Sequence, residues 1–416
     1  MILEILGCAL IVLVAAGAGI GIVRQLRRNR FEETRDLLEL AILQNRLDAE
    51  RDMRLAKSRS LLPWNGLRKF VVKRKVEEAD GLSSFYLSPH DGKALPGFMP
   101  GQYLTFQLRP PGQPKPVIRC YSLSDRPRED YYRVTIKRVA AESDGAPAGV
   151  GSNYFHDGVR EGDILDVKAP GGHFFLDPAG DGGVVLIGGG IGVTPMLSML
   201  HTLLERRSRR DIWFFYSVKN GDEHIMKDTL RAIGRENPNM RVVVCYSRPR
   251  DGELAGEHYD EAGRVGAELF KKLLPSNNYD YYMCGPGSMM ESLTVDLTGW
   301  GVPESRIHFE TFGPSSVKKV GAATRPPMPL TKKCTVNFKR SGKVAEWTGA
   351  CGNLLELAEE AGIPIASGCR AGNCGTCAVA IQQGDVEYVQ KPGSPPDPGT
   401  CLTCVATPKG DLVLDA

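Results

Sequence analysis

At 416 residues the chain is too long for one ordinary core, and a prior of about 100 to 200 residues per domain predicts two to four domains, here three. Its 52 Lys and Arg against 49 Asp and Glu leave a net charge of +3, a mixed soluble surface that gives no reason to expect a nucleic-acid partner. Of 11 cysteines, seven (Cys8, Cys120, Cys245, Cys284, Cys334, Cys351 and Cys401) belong to no disulfide framework, which argues for a reducing compartment.

Residues 5–23 carry no charge and are long enough to cross the hydrocarbon core of a bilayer. Arg24, Arg27, Arg28 and Arg30 come directly after, whereas a cleavable signal peptide carries its positive charges ahead of the apolar run, where only Glu4 stands here. Residues 1–27 therefore read as a single-pass transmembrane helix. The arginines place the C-terminal side of that helix in the cytoplasm, at the cell inner membrane. Residues 28–62 alternate charges around Leu37, Leu38, Ala41, Ile42 and Leu47, and between Phe31 and Ser58 contain neither Gly nor Pro. They predict a helical juxtamembrane linker, ended by Leu62-Pro63-Trp64-Asn65-Gly66.

Residues 63–178 change to short alternating strands with Gly and Pro turns, as in Phe70-Val71-Val72-Lys73, Tyr103-Leu104-Thr105-Phe106 and Tyr132-Arg133-Val134-Thr135-Ile136. That pattern predicts a small antiparallel β-barrel. Within it lies Arg119-Cys120-Tyr121-Ser122. Arg119 offers a fork for a phosphate, Tyr121 a face for stacking on a flavin ring, and Ser122 a hydroxyl for its polar edge. About thirty residues on, Gly149-Val150-Gly151-Ser152 reads as a loop entering a helix whose first amides hold a second phosphate. The two motifs together resemble the flavin-binding pair of the ferredoxin-NADP reductase superfamily, R-x-Y-S and G-x-x-S, on Arg119, Tyr121, Ser122, Gly149 and Ser152. The resemblance implies FAD, with FMN the alternative, and main-chain flavin contacts at Ile136 and Lys137. Tyr132 and Tyr154 read as barrel packing.

Residues 179–312 open with Val184-Val185-Leu186-Ile187, an apolar run expected of a buried parallel strand, leading into Gly188-Gly189-Gly190-Ile191-Gly192-Val193-Thr194-Pro195 and an apolar helix over Met196 to Leu204. A strand, a glycine turn (Gly188, Gly189, Gly190, Gly192) and a helix entered through Thr194 and Pro195 bring backbone amides close to a pyrophosphate. Further strands at Ile212–Tyr216, Arg241–Cys245 and Tyr281–Met283, spaced by helix-sized intervals, predict a doubly wound α/β sheet. The last of these runs into Cys284-Gly285-Pro286-Gly287, and the region closes on Glu310-Thr311-Phe312-Gly313-Pro314. Both segments resemble the same superfamily, which implies that Cys284 with Gly285 and Pro286 borders the nicotinamide and that Glu310 and Phe312 lie near the flavin. Ser247-Arg248 after the third strand offers a site for the 2′-phosphate of NADPH, but no partner Lys or Tyr stands at a family spacing, so NADH and NADPH stay open.

Residues 313–329, rich in Pro, Gly, Ser and Lys, read as a tether. Residues 330–416 then predict strands, a helix over Leu354 to Ala361, and the run Cys369-Arg370-Ala371-Gly372-Asn373-Cys374-Gly375-Thr376-Cys377, with Cys404 further on. This C-x4-C-x2-C…C spacing is an iron-sulfur signature for a 2Fe-2S cluster held by Cys369, Cys374, Cys377 and a distant fourth thiolate. Zinc sites favour paired C-x2-C spacings, and disulfides need an oxidising compartment. Cys401 and Cys404 both lie near the fourth position, and resemblance to plant-type ferredoxins, which implies an α+β β-grasp domain, favours Cys404. The histidines, His156, His173, His201 and His224 among them, stand without metal-ligand spacing and read as structural.

The domain order resembles that of phthalate dioxygenase reductase and the ketosteroid hydroxylase reductases, and its first two parts resemble the reductase half of flavohaemoglobins, without a globin segment. The resemblance implies an oxidoreductase in which NAD(P)H delivers hydride to the flavin and the cluster passes electrons singly to a protein acceptor such as an oxygenase, hydroxylase or desaturase. Two other readings are a stand-alone NAD(P)H dehydrogenase reducing a quinone or small acceptor, and a redox-sensing interaction protein. A sensor has no use for the hydride-handling motifs.

Overall fold

The computed structural model describes residues 64, 66–141, 148–310, 312, 334–372, 375–389, 392 and 396–416. The expected anchor and linker over 1–62, and the tether over 313–329, lie outside these. Among the described residues no helix is long and apolar enough to cross a membrane.

The first sheet has strands β1 (Leu67–Ala79), β2 (Leu82–Pro89), β3 (Tyr103–Leu108), β4 (Val117–Ser122), β5 (Tyr132–Lys137) and β6 (Ile164–Gly171), in the order β4-β3-β6-β1-β2-β5. Neighbours are antiparallel throughout. A bridge between Leu123, just past β4, and Val134 within β5 joins the two outer strands and closes the sheet into a barrel. Phe70, Phe85 and Phe106 share one buried core with Phe155 of helix α1 (Val150–Asp157). Phe155 stands 5.0 Å from the Phe85 ring and 5.2 Å from the Phe106 ring, so this core holds the helix against β4. Truncating one such ring to alanine typically costs about 3–5 kcal/mol.

The second sheet is wholly parallel: β7 (Val184–Gly189), β8 (Ile212–Val218), β9 (Met240–Tyr246), β10 (Glu261–Ala262), β11 (Asp280–Cys284) and β12 (Ile307–Glu310), in the order β10-β9-β8-β7-β11-β12. Helices α2 (Val193–Glu205), α3 (Lys227–Glu236), α4 (Ala267–Leu273) and α5 (Gly287–Gly299) connect the strands. Alternation along β7 feeds two cores, Val184 and Leu186 into one, Val185 and Ile187 into the other. An unbroken apolar run is therefore what a strand covered on both faces requires. Helix α2 begins at Val193 rather than Met196, so Thr194 and Pro195 lie in its first turn, where a missing proline N–H costs no hydrogen bond. From β7 the chain passes first to β8 on one side and later to β11 on the other, which makes the β7–β11 border the switch point where open α/β sheets bind ligands.

The barrel and this sheet meet at Asp125, just past β4. Its carbonyl accepts from Ser198 Oγ of α2 at 2.8 Å, and its carboxylate meets His201 Nδ1 at 3.0 Å and the Tyr131 hydroxyl at 2.8 Å. Burial works against this charge, but His201 and the Arg133 guanidinium more than offset it and hold the carboxyl below the usual range. Helix α2 is thereby pinned beside Arg119–Ser122.

The C-terminal part has β13 (Cys334–Phe338), β14 (Lys343–Trp347), helix α6 (Leu354–Glu360), β15 (Ala378–Gln383), β16 (Val386–Tyr388), β17 (Thr400–Leu402), β18 (Ala406–Pro408) and β19 (Leu412–Leu414). Five strands form a mixed sheet in the order β14-β13-β19-β15-β17, and β16 pairs with β18. Asn353 caps α6 by accepting from Glu356 N at 3.0 Å, while the Glu356 carboxylate returns to Gly352 N at 2.7 Å. Leu354 faces the main core under the sheet, and Leu355 faces a second, smaller cluster with Cys377, Leu402, Cys404 and Val405.

Candidate functional site

Strand β4 and the start of α1 form one cradle. A Cβ on Gly151 would stand 2.7 Å from Arg119 Cγ and 3.1 Å from the Tyr121 hydroxyl, so only glycine lets both side chains cross the helix start. Gly149 provides no side-chain cap, and the first amides of α1 have no acceptor within the helix. Open amides beside a guanidinium suit a phosphate, and the donor set fits a flavin nucleotide. The Tyr121 ring packs edge-on against Phe106 and Phe155, and burial pushes its hydroxyl well above the ordinary phenol range. The Ser152 hydroxyl donates to Gly149 O at 3.0 Å and accepts from Val139 N at 3.2 Å, holding the loop shut. The Ile136 carbonyl lies 3.0 Å from His156 Nε2, and the Lys137 side chain reaches Glu223 at 2.8 Å. Gly151 is the residue that the motif reading passed over, although it stands inside the Gly149–Ser152 run.

At the switch point, Cys284 sits in register with Gly188 on one side and Glu310 on the other. A Cβ on Gly192 would lie 2.2 Å from Cys284 O, so the turn rests on the Cys284–Gly285 peptide. Gly190 has φ +52° and open space around it, leaving its backbone accessible. A Cβ on Gly189 or on Gly285 would run into the Met289 side chain, while Pro286 leads into α5. Thr194 spends its hydroxyl on Ile191 O at 3.0 Å, and Pro195 is buried in α2. Ser247 donates to Val218 O at 3.3 Å, and Arg248 is exposed. Phe312 is exposed, as is Phe309 in β12.

Glu310 joins the two sheets: its buried carboxylate lies 3.5 Å from Ser122 Oγ. Burial drives this carboxyl from 4.5 up to about 8, with Ser122 pulling the other way. Burial, and then Glu310, raise the Cys284 thiol well above its ordinary value, so it stays protonated. Between about pH 4.5 and 8 the folded chain holds a proton at Glu310 that the unfolded chain releases, so stability falls as pH rises through that window and is unaffected below it. Glu310→Gln is expected to remove this part of the decline in thermal melting temperature between pH 5 and about 8. Identical melting profiles for the two proteins would contradict the assignment.

In the C-terminal part, Cys377 Sγ lies 3.2 Å from Cys404 Sγ, Gly372 N donates to Cys404 Sγ at 3.3 Å, and Ala371 N to Cys369 Sγ at 3.4 Å. Amide donors aimed at sulfur fit an iron-sulfur cluster. Cys401 belongs to the other face: paired in register with Val379, fully buried in the main core, its thiol is pushed by burial to about 12. Cys374 lies outside the described residues, and among those no group of three His, Cys, Asp or Glu side chains is gathered tightly enough to hold a metal ion.

Comparison with known proteins agrees with this division. The oxidoreductase FAD-binding domain family matches residues 69–176, the oxidoreductase NAD-binding domain family 186–294, and the 2Fe-2S iron-sulfur cluster binding domain family 341–409. The chain is 41% identical over 253 residues to a flavohemoprotein of Bacillus cereus, covering 61% of this chain and 62% of that protein. It thus spans about three fifths of the length of the curated relatives it matches. The flavohem-like FAD/NAD-binding domain of nitric oxide dioxygenase from Vibrio cholerae superposes with a TM-score of 0.53 at 33% identity, over 60% of this chain and all of that one. Phthalate dioxygenase reductase, described as a modular structure for electron transfer from pyridine nucleotides to [2Fe-2S], superposes with a TM-score of 0.52 at 27% identity, over 85% of this chain and 98% of that one.

Proposed function

We propose that the chain, which carries FAD-binding, NAD-binding and 2Fe-2S family domains in one polypeptide, is a member of the ferredoxin-NADP reductase superfamily that carries electrons from NAD(P)H to a one-electron protein acceptor. The observation that carries this reading is the junction of Ser122, Glu310, Cys284 and the Gly188–Gly192 turn, where the barrel cradle and the nucleotide edge meet through one hydrogen bond. When bound, the flavin supplies two-electron uptake with one-electron release, and the cluster supplies single-electron passage. Arg119 and the first amides of α1 hold the flavin phosphate. The Gly188–Gly192 amides hold the nucleotide pyrophosphate, Phe312 covers the ring, and Glu310 keeps a proton beside Ser122. Cys369, Cys374, Cys377 and Cys404 hold the cluster.

The acceptor proposed is an oxygenase, hydroxylase or desaturase, supported by the likeness over 85% of the chain to a dioxygenase reductase. Anchoring at the inner membrane through residues 5–23, with the redox domains cytoplasmic, is supported by the apolar run and the arginines after it. Anaerobic addition of NADH or NADPH to the purified, detergent-solubilised chain is expected to bleach the flavin and then the cluster absorbance. Bleaching by neither nucleotide would refute the reductase reading, and rapid reoxidation by a quinone without a protein partner would move the acceptor to the membrane pool.

A further inference from the structure

The loops after β8 and β9 bear on which nucleotide the edge accepts, an inference that rests on the reading of Gly188–Gly192 as a nucleotide site. Both loops stand at the C-terminal edge of the sheet beside that turn, on the side where α/β folds read the ribose 2′-position. Residues 219–223 and 247–253 carry the cations Lys219, Arg248 and Arg250 against the carboxylates Asp222, Glu223, Asp251 and Glu253. The Arg250 guanidinium is engaged by both Asp222 oxygens, one of them at 2.7 Å. Lys219 Nζ lies 3.3 Å from Glu223, which also takes Lys137. Ser247 gives its hydroxyl to Val218 O. Arg248 alone of the three cations has no carboxylate partner among the described residues.

The arrangement is clasped in place. Glu253 accepts from Gly221 N at 2.8 Å and from Arg250 N at 2.7 Å, and a Cβ on Gly221 would stand 2.5 Å from Glu253 Oε1. The two loops therefore meet through a carboxylate, with Asp222 held opposite Arg250. We propose that Asp222 is a specificity-determining residue: by occupying Arg250 and setting a negative charge against an incoming 2′-phosphate, Asp222 turns the edge against NADPH, so that the chain selects NADH. An exposed ion pair is itself weak. The discrimination arises because an entering phosphate dianion must displace the Asp222 carboxylate and then remain next to it, whereas a 2′-hydroxyl asks for neither.

Binding of 5′-AMP and of 2′,5′-ADP to the full chain, measured by calorimetry, reads this preference independently of any redox step, alongside kcat/KM for flavin reduction by NADH and NADPH. The wild type is expected to favour the forms without the 2′-phosphate by about tenfold or more, and Asp222→Ala to raise the use of NADPH about tenfold with NADH within about twofold. Adding Arg250→Ala to Asp222→Ala is expected to erase the gain. A wild type that binds 2′,5′-ADP as well as 5′-AMP, or an Asp222→Ala variant that gains nothing for the phosphorylated forms, would overturn the proposal. A chain whose flavin is reduced by neither nucleotide would instead overturn the reductase reading, while the calorimetry still decides the preference.

Discussion

Cys404→Ala is expected to abolish electron delivery to a one-electron acceptor such as cytochrome c while leaving flavin reduction by the nucleotide at its wild-type rate. The reason is positional. Cys404 Sγ is the sulfur that meets Cys377 Sγ at 3.2 Å and receives the Gly372 amide, so removing it opens the donor set on the side where a second segment of chain completes it. Cys401→Ala, three residues away, is expected to keep full iron content, because Cys401 faces the main core with Val336 and Leu414 instead. Its cost is a small cavity, on the order of 1 kcal/mol in stability. Iron per chain, cluster absorbance and urea denaturation separate the two variants. Loss of iron in Cys401→Ala with retention in Cys404→Ala would reverse the assignment, and equal loss of flavin reduction in Cys404→Ala would contradict an order in which the cluster is the exit.

The contrast between these cysteines also marks what a linear reading can reach. Spacing alone leaves both at the fourth position, since which face each side chain takes depends on the β15–β17 register, in which Val379 pairs with Cys401. The glycine turn after Val184–Ile187 is legible because strand, turn and helix are contiguous and each local signal agrees with the next. Arg119–Ser122 and Gly149–Ser152 are legible as motifs, but the use of Gly151 as the crossing point for Arg119 and Tyr121 appears only once α1 packs on β4. In the same way, Ser247-Arg248 reads as a pair in sequence, but only the packed loops show the Ser247 hydroxyl donating to Val218 O and the neighbouring Arg250, not Arg248, engaged by Asp222. Contacts between segments thus decide what the motifs leave ambiguous. The anchor over 1–27 rests on hydropathy and charge alone.

Gly192→Ala is expected to lower NAD(P)H turnover at least about 100-fold, the scale that a displacement of about 1 Å in a binding element produces. Gly192 has φ −62°, a conformation any residue adopts, so the penalty is not conformational. It is steric, and the obstacle is rigid: the new methyl would meet Cys284 O at 2.2 Å and Gly285 N at 2.7 Å, backbone atoms at the end of a strand paired on both sides and in the peptide that leaves it. Relief requires the turn and β11 to separate, which moves the amides away from the switch point and costs about 1–3 kcal/mol of stability as overpacking does. Gly190→Ala makes the opposite test. Its φ of +52° costs an alanine about 1–2 kcal/mol, but no atom lies within 4 Å of the new methyl, so the fold accepts it. That methyl enters open space at the turn proposed to hold the pyrophosphate, and Gly190→Ala is therefore expected to weaken nucleotide binding without moving Cys284 or Glu310. Flavin content should stay at wild-type level in both variants, because Arg119 and Gly151 lie in the other sheet's cradle. The pH-dependent melting set by Glu310 tells them apart: Gly192→Ala should alter it through Cys284 and β12, and Gly190→Ala should leave it as in the wild type. Nucleotide affinity retained in both would show that the pyrophosphate does not lie on this turn.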